Sequence, residues 1–330
     1  MRIGEIKQEA KTALKGNWGL AIGASLLNNL MVGGIMFISV IVMMIVMMMT
    51  ITTMFYHNLS VFTAVLMVIL VFVVFLALLL LLVVPLQIGL EWMFLNFIDE
   101  KKQKVDPLFR RKQDVGNLFD AFKKNYWKNV STIALQSLFL GLWGGLFGAI
   151  DGLAFIFGPT VQLIVSLITW IPLIIITLGY SLVTPLLKDH PEYRAIEIIR
   201  ESKRLMRGNK GKYFLLGLSF VLWYVPGLFA YIVGFIMFIF NITVNPLNPH
   251  VGAMVISGIL ILIGFLYLVG ISFYVMPYLQ ASYAAFYRTL KPLPPEKTEG
   301  TDFYSNAPQP LNTNNENSEY GLYDSTESIT

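Results

Sequence analysis

The sequence contains no cysteine and very little charge. Only 13% of its 330 residues are charged, whereas 56% are hydrophobic; soluble domains are typically about 25% charged. The absence of cysteine excludes disulfides, thiolate metal ligands and cysteine nucleophiles. The scarcity of charge argues against a soluble globular protein, a disordered chain and a nucleic-acid-binding domain. We therefore expect a membrane protein.

Three long stretches are almost free of charge. Residues 16–90 and 213–287 hold no Lys, Arg, Asp or Glu, and residues 129–187 hold only Asp151. A helix needs about 20 apolar residues to cross a bilayer, so each stretch is long enough for two crossings. Because lipid offers the backbone no hydrogen-bond partners, the crossing segments must be helices. The predicted transmembrane helices are, approximately, 30–56, 61–84, 131–150, 161–184, 214–239 and 253–276.

Each stretch has a polar or proline-containing break near its middle. The breaks lie at 57–60, at Asp151-Gly152 together with Gly158-Pro159, and at 241–250. The sequence therefore predicts an all-α membrane protein whose six helices form three hairpins. The predicted units are 1–90, 91–187 and 188–291, followed by a disordered acidic tail at 292–330. The tail has one basic and seven acidic residues and too few apolar residues to fold alone.

The basic residues all fall between the predicted hairpins or at their ends. All 24 Lys and Arg residues lie in 2–15, 101–128, 188–212 and 288–297. With six crossings these segments share one side of the membrane, and positive charge favours the cytoplasmic side. We expect a multi-pass protein of the bacterial cytoplasmic membrane with both termini cytoplasmic. The 19 residues before the first apolar run do not resemble a cleavable signal peptide.

A basic amphipathic helix is predicted before each hairpin, at the cytoplasmic membrane interface. Residues 10–19 resemble 202–211 and, more loosely, 121–128, which suggests a threefold repeat. In the third helix, Asp189 is expected to cap the N-terminus and Gly208 to end the helix. Such helices either contact anionic lipid headgroups or pack on the ends of the spans. The candidate lipid-contacting residues are Lys11, Lys15, Lys123, Lys124, Lys203, Arg204, Arg207 and Lys210.

Few residues suggest chemistry inside the membrane. Enzymes and ion-coupled carriers normally place ionisable groups there, whereas Asp151, His57 and His250 are predicted in turns. The methionine run at 43–49 could bind Cu(I) but is better explained as apolar packing. We predict no catalytic residues, no metal site and no cofactor. Gln136, Gln162 and Ser272 either join helices by hydrogen bonds or line a solute path.

Three stretches resemble a known family. They are Ile3-Gly4-Glu5-Ile6-Lys7 through Gly19, His190-Pro191-Glu192 through Lys210, and Tyr278-Leu279-Gln280 through Tyr287. In this order they are similar to the bacterial integral membrane proteins catalogued as domain of unknown function 975. The resemblance covers about residues 1–291 and implies a bacterial membrane protein of helical hairpins. It implies no activity and carries over no functional residues.

Two functions remain open from the sequence. The first is a non-enzymatic membrane protein that organises lipid or partner proteins, and the basic interfacial helices favour it. The alternative is a transporter or permease subunit for a small or lipophilic solute, which six spans and helix-breaking prolines would suit. A polar cavity lined by Gln136, Gln162 and Ser272 would favour transport. Partners are expected to be the bilayer, anionic headgroups and proteins, but not nucleic acid.

Overall fold

The computed structural model describes residues 2–56, 60–102, 113–244 and 250–292. Within these ranges every regular element is helical. The α-helices are α1 (Ile3–Leu14), α2 (Trp18–Tyr56), α3 (Val61–Leu78), α4 (Val84–Lys102), α5 (Asp120–Lys123), α6 (Tyr126–Phe155), α7 (Pro159–Leu178), α8 (Val183–Asp189), α9 (Ala195–Met206), α10 (Lys210–Val221), α11 (Val225–Val244) and α12 (Val251–Leu290). A π-helical turn (Leu79–Val83) joins α3 to α4, and a 3₁₀ turn (Val115–Phe119) precedes α5.

In the part of the chain that the structure describes, six helices are long and apolar enough to cross a membrane, which confirms that part of the sequence prediction. They are Trp18–Tyr56, Val61–Lys102, Tyr126–Phe155, Pro159–Asp189, Val225–Val244 and Val251–Leu290. Successive helices contact each other in pairs: α2 with α3, α6 with α7, and α11 with α12. At most 17% of any apolar window is buried inside the protein. Most of this apolar surface is therefore left to lipid or to other chains.

The best-packed part of the chain lies at one end of these helices. We call it the basal layer: α1, α4, α8, α9 and residues 275–290 of α12. Phe94, Leu186, Ile198 and Tyr287 are fully buried there. Helix α1 packs on α4 and α12, and α8 packs on α4 and α9. Both α1 and α9 bury a stripe of small or apolar residues, as their amphipathic patterns predict.

The predicted likeness between the first and third units extends to backbone detail. Helices α1 and α9 each have 12 residues. The backbone N–H groups of Arg2 and Arg194 donate to the carboxylates of Glu5 and Glu197, at 2.8 and 2.7 Å. Gly16 and Gly208 then turn the chain into the next helix with φ of 91° and 79°. This left-handed conformation favours glycine, so Gly208 ends α9 as predicted.

Four sequence expectations need correction. Asp189 does not cap the third amphipathic helix, because α9 begins at Ala195 after an extended Arg194. Asp151 lies inside α6 rather than in a turn, and the chain reverses only at 156–158. The predicted helix at 214–239 is interrupted between Val221 and Val225. The predicted boundary at residue 90 falls inside the continuous helix α4.

The predicted break at 57–60 and the predicted tail at 292–330 are only partly covered by the described residues. Ser60 accepts a hydrogen bond from the backbone N–H of Thr63 at 3.2 Å and starts α3, but His57 lies outside the described residues. The acidic tail at 292–330 falls outside them too, except for Pro292.

Pro85 explains the π-helical turn between α3 and α4. Proline has no N–H to donate to the carbonyl four residues earlier, which belongs to Leu81. The hydroxyl of Tyr126 donates to that carbonyl instead, at 2.9 Å. An unpaired carbonyl in an apolar environment would be costly. Tyr126 therefore attaches the start of α6 to the bend between α3 and α4.

Candidate functional site

An ionic cluster joins three helices in the basal layer. Arg288 of α12 donates to both oxygens of Asp99 on α4, at 2.5 and 2.7 Å. The same guanidinium donates to Asp189 at the end of α8, which also accepts from the Tyr287 hydroxyl at 2.7 Å. Lys188 lies 3.6 Å from Asp99. Arg288 is only 3% exposed, so these pairs are shielded from water and removal of one partner would be costly.

The ionic cluster connects helices and contains no charged group without a partner among its members. Two carboxylates face two cations, and Lys188 also donates to the side-chain carbonyl of Asn96. Every charged group therefore has a partner of opposite sign. Because a buried pair is neutral only when both members remain, the cluster fixes the relative positions of α4, α8 and α12.

A second polar site adjoins this cluster. It is a cavity of about 170 Å³ between α4, the α7–α8 connection, α10 and α12. We call it the Glu91 cavity. Its polar lining comes from Glu91, Ser181, Tyr213, Gln280 and Tyr283. Among the described residues, no Lys, Arg or His forms an ion pair with Glu91.

Two stacked tyrosines form one wall of the Glu91 cavity. The ring centroids of Tyr213 and Tyr283 are 4.4 Å apart and the planes differ by 10°. A Cβ atom at Gly217 would lie 2.5 Å from the Tyr283 hydroxyl, so a glycine at 217 makes room for that ring. Burial raises the pKa of the Tyr213 hydroxyl well above its ordinary value, and the neighbouring Tyr283 and Glu91 act in the same direction. Tyr213 is therefore neutral at physiological pH.

Residues 148–293 match the family described as Protein of unknown function (DUF975). The match covers less than half of the chain, and we call residues 148–293 the DUF975 segment. No curated protein and no solved structure matches the chain. Of the three stretches that carry the sequence resemblance, two lie within the matched DUF975 segment. The stretch at 3–19 lies before it, and the family description names no activity.

The DUF975 segment supplies most of both polar sites. Asp189 and Arg288 of the ionic cluster lie within it, as do Ser181, Tyr213, Gln280 and Tyr283 of the cavity. Asp99 and Glu91 come from α4, before the match begins. The acidic member of the cavity is thus contributed by a part of the chain outside the DUF975 segment.

Sequence reasoning missed Glu91. It lies directly after the charge-free stretch that ends at Leu90, so it was grouped with the polar segment between hairpins. A usable signal was present, because Leu90, Trp92 and Met93 give this glutamate apolar neighbours on both sides. A lone charge in such surroundings is often functional.

The eight predicted lipid-contacting residues have different environments. Lys11, Lys15, Lys123 and Arg207 are exposed. Lys124, Lys203 and Arg204 are exposed as well but, like Lys210, also interact with other groups of the protein. Lys124 pairs with Asp120 at 3.2 Å, Arg204 pairs with Glu201 at 2.6 Å, Lys203 lies 4.3 Å from the centroid of the Tyr180 ring, and Lys210 donates to the Ile175 carbonyl at 2.8 Å. Lys210 thereby satisfies a carbonyl in the last turn of α7.

Asp151 faces α7 rather than an open turn. Ser166 of α7 donates to its carboxylate, and both line a cavity of about 180 Å³ in the α6–α7 pair. His250 precedes α12, and its backbone N–H donates to the side-chain carbonyl of Asn241 at 3.2 Å. Within the described residues, no group of three or more His, Asp or Glu side chains is placed to hold a metal ion.

The three side chains proposed for a solute path are not brought together. Gln136 lies in the first half of α6 and Gln162 in the first turn of α7. Because a connection of three residues makes α6 and α7 antiparallel, Gln162 lies close to that connection, whereas Gln136 lies in the half of α6 that is away from it. Ser272 donates to the Leu268 carbonyl within its own helix, at 2.6 Å.

Proposed function

We propose that this is a non-enzymatic, polytopic protein of the bacterial cytoplasmic membrane that organises lipid or partner proteins. In this proposal the helix pairs α2–α3, α6–α7 and α11–α12 are membrane hairpins, each preceded by a basic amphipathic segment. The basal layer lies at the cytoplasmic surface with both termini. The observation that carries the proposal is the packed, basic layer at the ends of six apolar helices.

The charge distribution supports this orientation. The connections at the ends of the hairpins away from the basal layer, at 57–60, 156–158 and 245–250, contain no Lys or Arg. The basal layer and the segments beside it hold all the described basic residues. Membrane proteins retain basic segments on the cytoplasmic side.

The absence of cysteine gives a direct test of orientation. A single Cys can be introduced as Arg200→Cys, on the exposed face of α9, or as Val251→Cys, at the other end of the molecule. In intact spheroplasts a membrane-impermeant maleimide should label Val251→Cys but not Arg200→Cys. Inside-out vesicles should give the reverse pattern. Labelling of Arg200→Cys in intact cells would contradict the orientation, and the unsubstituted chain provides the unlabelled control.

Contact with anionic lipid is the part of the function that the basal layer supports best. Lys11, Lys15, Lys123 and Arg207 are exposed at helix ends, next to the apolar helices that would enter the bilayer. Each basic residue near an anionic surface contributes about 1 kcal/mol of attraction. Lipid co-purified with the protein should therefore be enriched in phosphatidylglycerol.

The lipid test compares two fourfold variants. Replacing these four residues by Gln should abolish the phosphatidylglycerol enrichment, whereas exchanging Lys for Arg and Arg for Lys should preserve it. Lipid analysis of the purified proteins measures the difference. Equal enrichment in both variants would rule out these side chains as the lipid contacts.

The transport alternative has less support. Its predicted polar path required Gln136, Gln162 and Ser272 to converge, but Gln162 lies close to the α6–α7 connection and Gln136 in the half of α6 away from it. Residues 16–90 and 213–287 also contain no Lys, Arg, Asp or Glu. Uptake and efflux measurements in a deletion strain remain the direct test of transport.

A further inference from the structure

We propose that the Glu91 cavity binds a primary ammonium group, presented either by a small free amine or by an aminated lipid headgroup. The inference rests on the cavity and its lining. It does not depend on the orientation of the protein or on the anionic-lipid contacts proposed above.

The first argument is the missing counter-charge. Glu91 lines this cavity, and none of the described Lys, Arg or His residues pairs with it. The nearby ionic cluster is different, because there each carboxylate has a cation. Buried carboxylates are normally paired or else neutral. A cationic ligand would supply the charge that the chain itself does not provide at Glu91.

The second argument is the chemistry of the walls. The side chains of Gln280 and Ser181 each offer an oxygen that accepts hydrogen bonds, as Glu91 does. A primary ammonium has three N–H donors, so three acceptors from different segments of the chain suit it. The stacked rings of Tyr213 and Tyr283 add aromatic surface, which attracts cations.

Other ligand classes fit less well. An anion would meet the Glu91 carboxylate, and no Lys, Arg or His is among the described residues that line the cavity. A divalent metal ion would require several carboxylate or imidazole ligands, whereas the described part of the lining contains one acidic residue, Glu91. The cavity volume of about 170 Å³ limits the size of the ligand group. An engineered cavity of about 150 Å³ holds benzene, so a ligand group of roughly six heavy atoms would fit.

Ethanolamine and phosphatidylethanolamine are the probes that separate the two sources. The full chain, purified in neutral detergent, is titrated with ethanolamine and in parallel with phosphatidylethanolamine, and thermal unfolding is followed. Binding to the folded state raises Tm. A rise with ethanolamine identifies a free amine as sufficient, and a rise only with the lipid identifies the headgroup. Ethylene glycol, which replaces the ammonium by a hydroxyl, should give no rise.

Two variants test the cavity by different means. Glu91→Gln removes the charge at nearly constant volume, and Ala284→Leu fills the cavity while leaving Glu91 in place. Loss of a charge-assisted hydrogen bond should weaken binding on the order of tenfold or more. Glu192→Gln removes an exposed carboxylate outside the cavity and should leave binding unchanged.

The outcomes are distinct. A Tm rise in the wild-type protein and in Glu192→Gln, but not in Glu91→Gln or Ala284→Leu, would support the site. No rise with either probe would overturn it. Equal rises in the wild-type protein and Glu91→Gln, or with ethanolamine and ethylene glycol, would also overturn it. Because Glu91→Gln could alter folding by itself, its Tm without ligand is the reference for each titration.

Discussion

The basal layer and the apolar spans are stabilised by different means. In the basal layer, short helices from distant parts of the chain bury side chains around Phe94 and Tyr287 and are joined by the Arg288 cluster. In the spans most side chains point away from the protein, and close contact is local. The hydrophobic effect drives packing only where water is excluded. The difference suggests that the layer packs like a soluble domain, whereas the spans are completed by lipid.

Within the spans, the third helix pair is packed more closely than the second. A Cβ atom added at Gly264 of α12 would lie 2.6 Å from the backbone nitrogen of Tyr231, and one at Gly234 of α11 would lie 2.9 Å from that of Ile261. Glycines of α6 such as Gly144 and Gly148 have open space instead. Backbone contact through small residues is a common way for membrane helices to associate.

The largest predicted effect concerns the ionic cluster. Arg288→Leu would leave Asp99 and Asp189 without their guanidinium partner in a shielded environment. Breaking such a pair costs about 3–5 kcal/mol, and we expect this loss in the free energy of unfolding in detergent. Arg200→Leu, on the exposed face of α9, should change it by less than about 0.5 kcal/mol. A similar loss in the free energy of unfolding for both variants would show that the buried cluster stabilises the protein no more than an exposed arginine does.

A second prediction uses two glycines in different spans. Gly264→Ala should destabilise the protein by about 1–3 kcal/mol, because the added methyl overlaps the backbone of Tyr231. Gly148→Ala, where nothing lies within 4 Å, should be neutral or stabilise the helix by about 0.5–1 kcal/mol. Thermal unfolding of the two variants provides the measurement. A large decrease in the stability of Gly148→Ala would indicate that another chain occupies the space beside α6.

A third prediction concerns the junction between the two regions. Tyr126→Phe removes the hydroxyl that donates to the Leu81 carbonyl while keeping the ring. An unsatisfied carbonyl costs about 1–3 kcal/mol. We expect a loss in this range, and the double variant Tyr126→Phe with Pro85→Ala should recover part of it because residue 85 would regain an N–H. An unchanged Tm in Tyr126→Phe would show that the hydrogen bond is dispensable.

The smallest effect is expected on the outer surface of the basal layer. The hydrogen bonds from Arg204 lower the pKa of Glu201 below its ordinary value. A lowered pKa in the folded state means that the interaction stabilises the protein at neutral pH and that this stabilisation is lost on acidification. Glu201→Gln should therefore cost less than about 1 kcal/mol at pH 7. The difference from wild type should shrink as the pH falls below about 4, as Tm measured against pH would show.

The sequence predicted the features that depend on local composition. Three charge-free stretches were sufficient to identify six apolar helices, because a membrane span depends mainly on length and hydropathy. The left-handed turn at Gly208 was also predictable, since glycine at the end of an amphipathic helix has few other roles.

The predictions that were wrong or missing concern contacts between residues far apart in the sequence. Asp189 was expected to cap a neighbouring helix, yet its partner Arg288 is 99 positions away. Asp151 was placed in a turn because glycine follows it, whereas Ser166 across the helix pair provides its partner. The Glu91 cavity requires four separate segments to meet. No local pattern contains that information.

The position of Arg288 also sets an order of assembly. This residue lies in the last turn of α12, and its partners Asp99 and Asp189 precede it by 189 and 99 positions. Because a ribosome delivers the N-terminal part first, both aspartates emerge long before their guanidinium. Completion of the cluster must therefore await the synthesis and membrane insertion of α12. The basal layer can therefore acquire its complete ionic cluster only after α12 has been positioned.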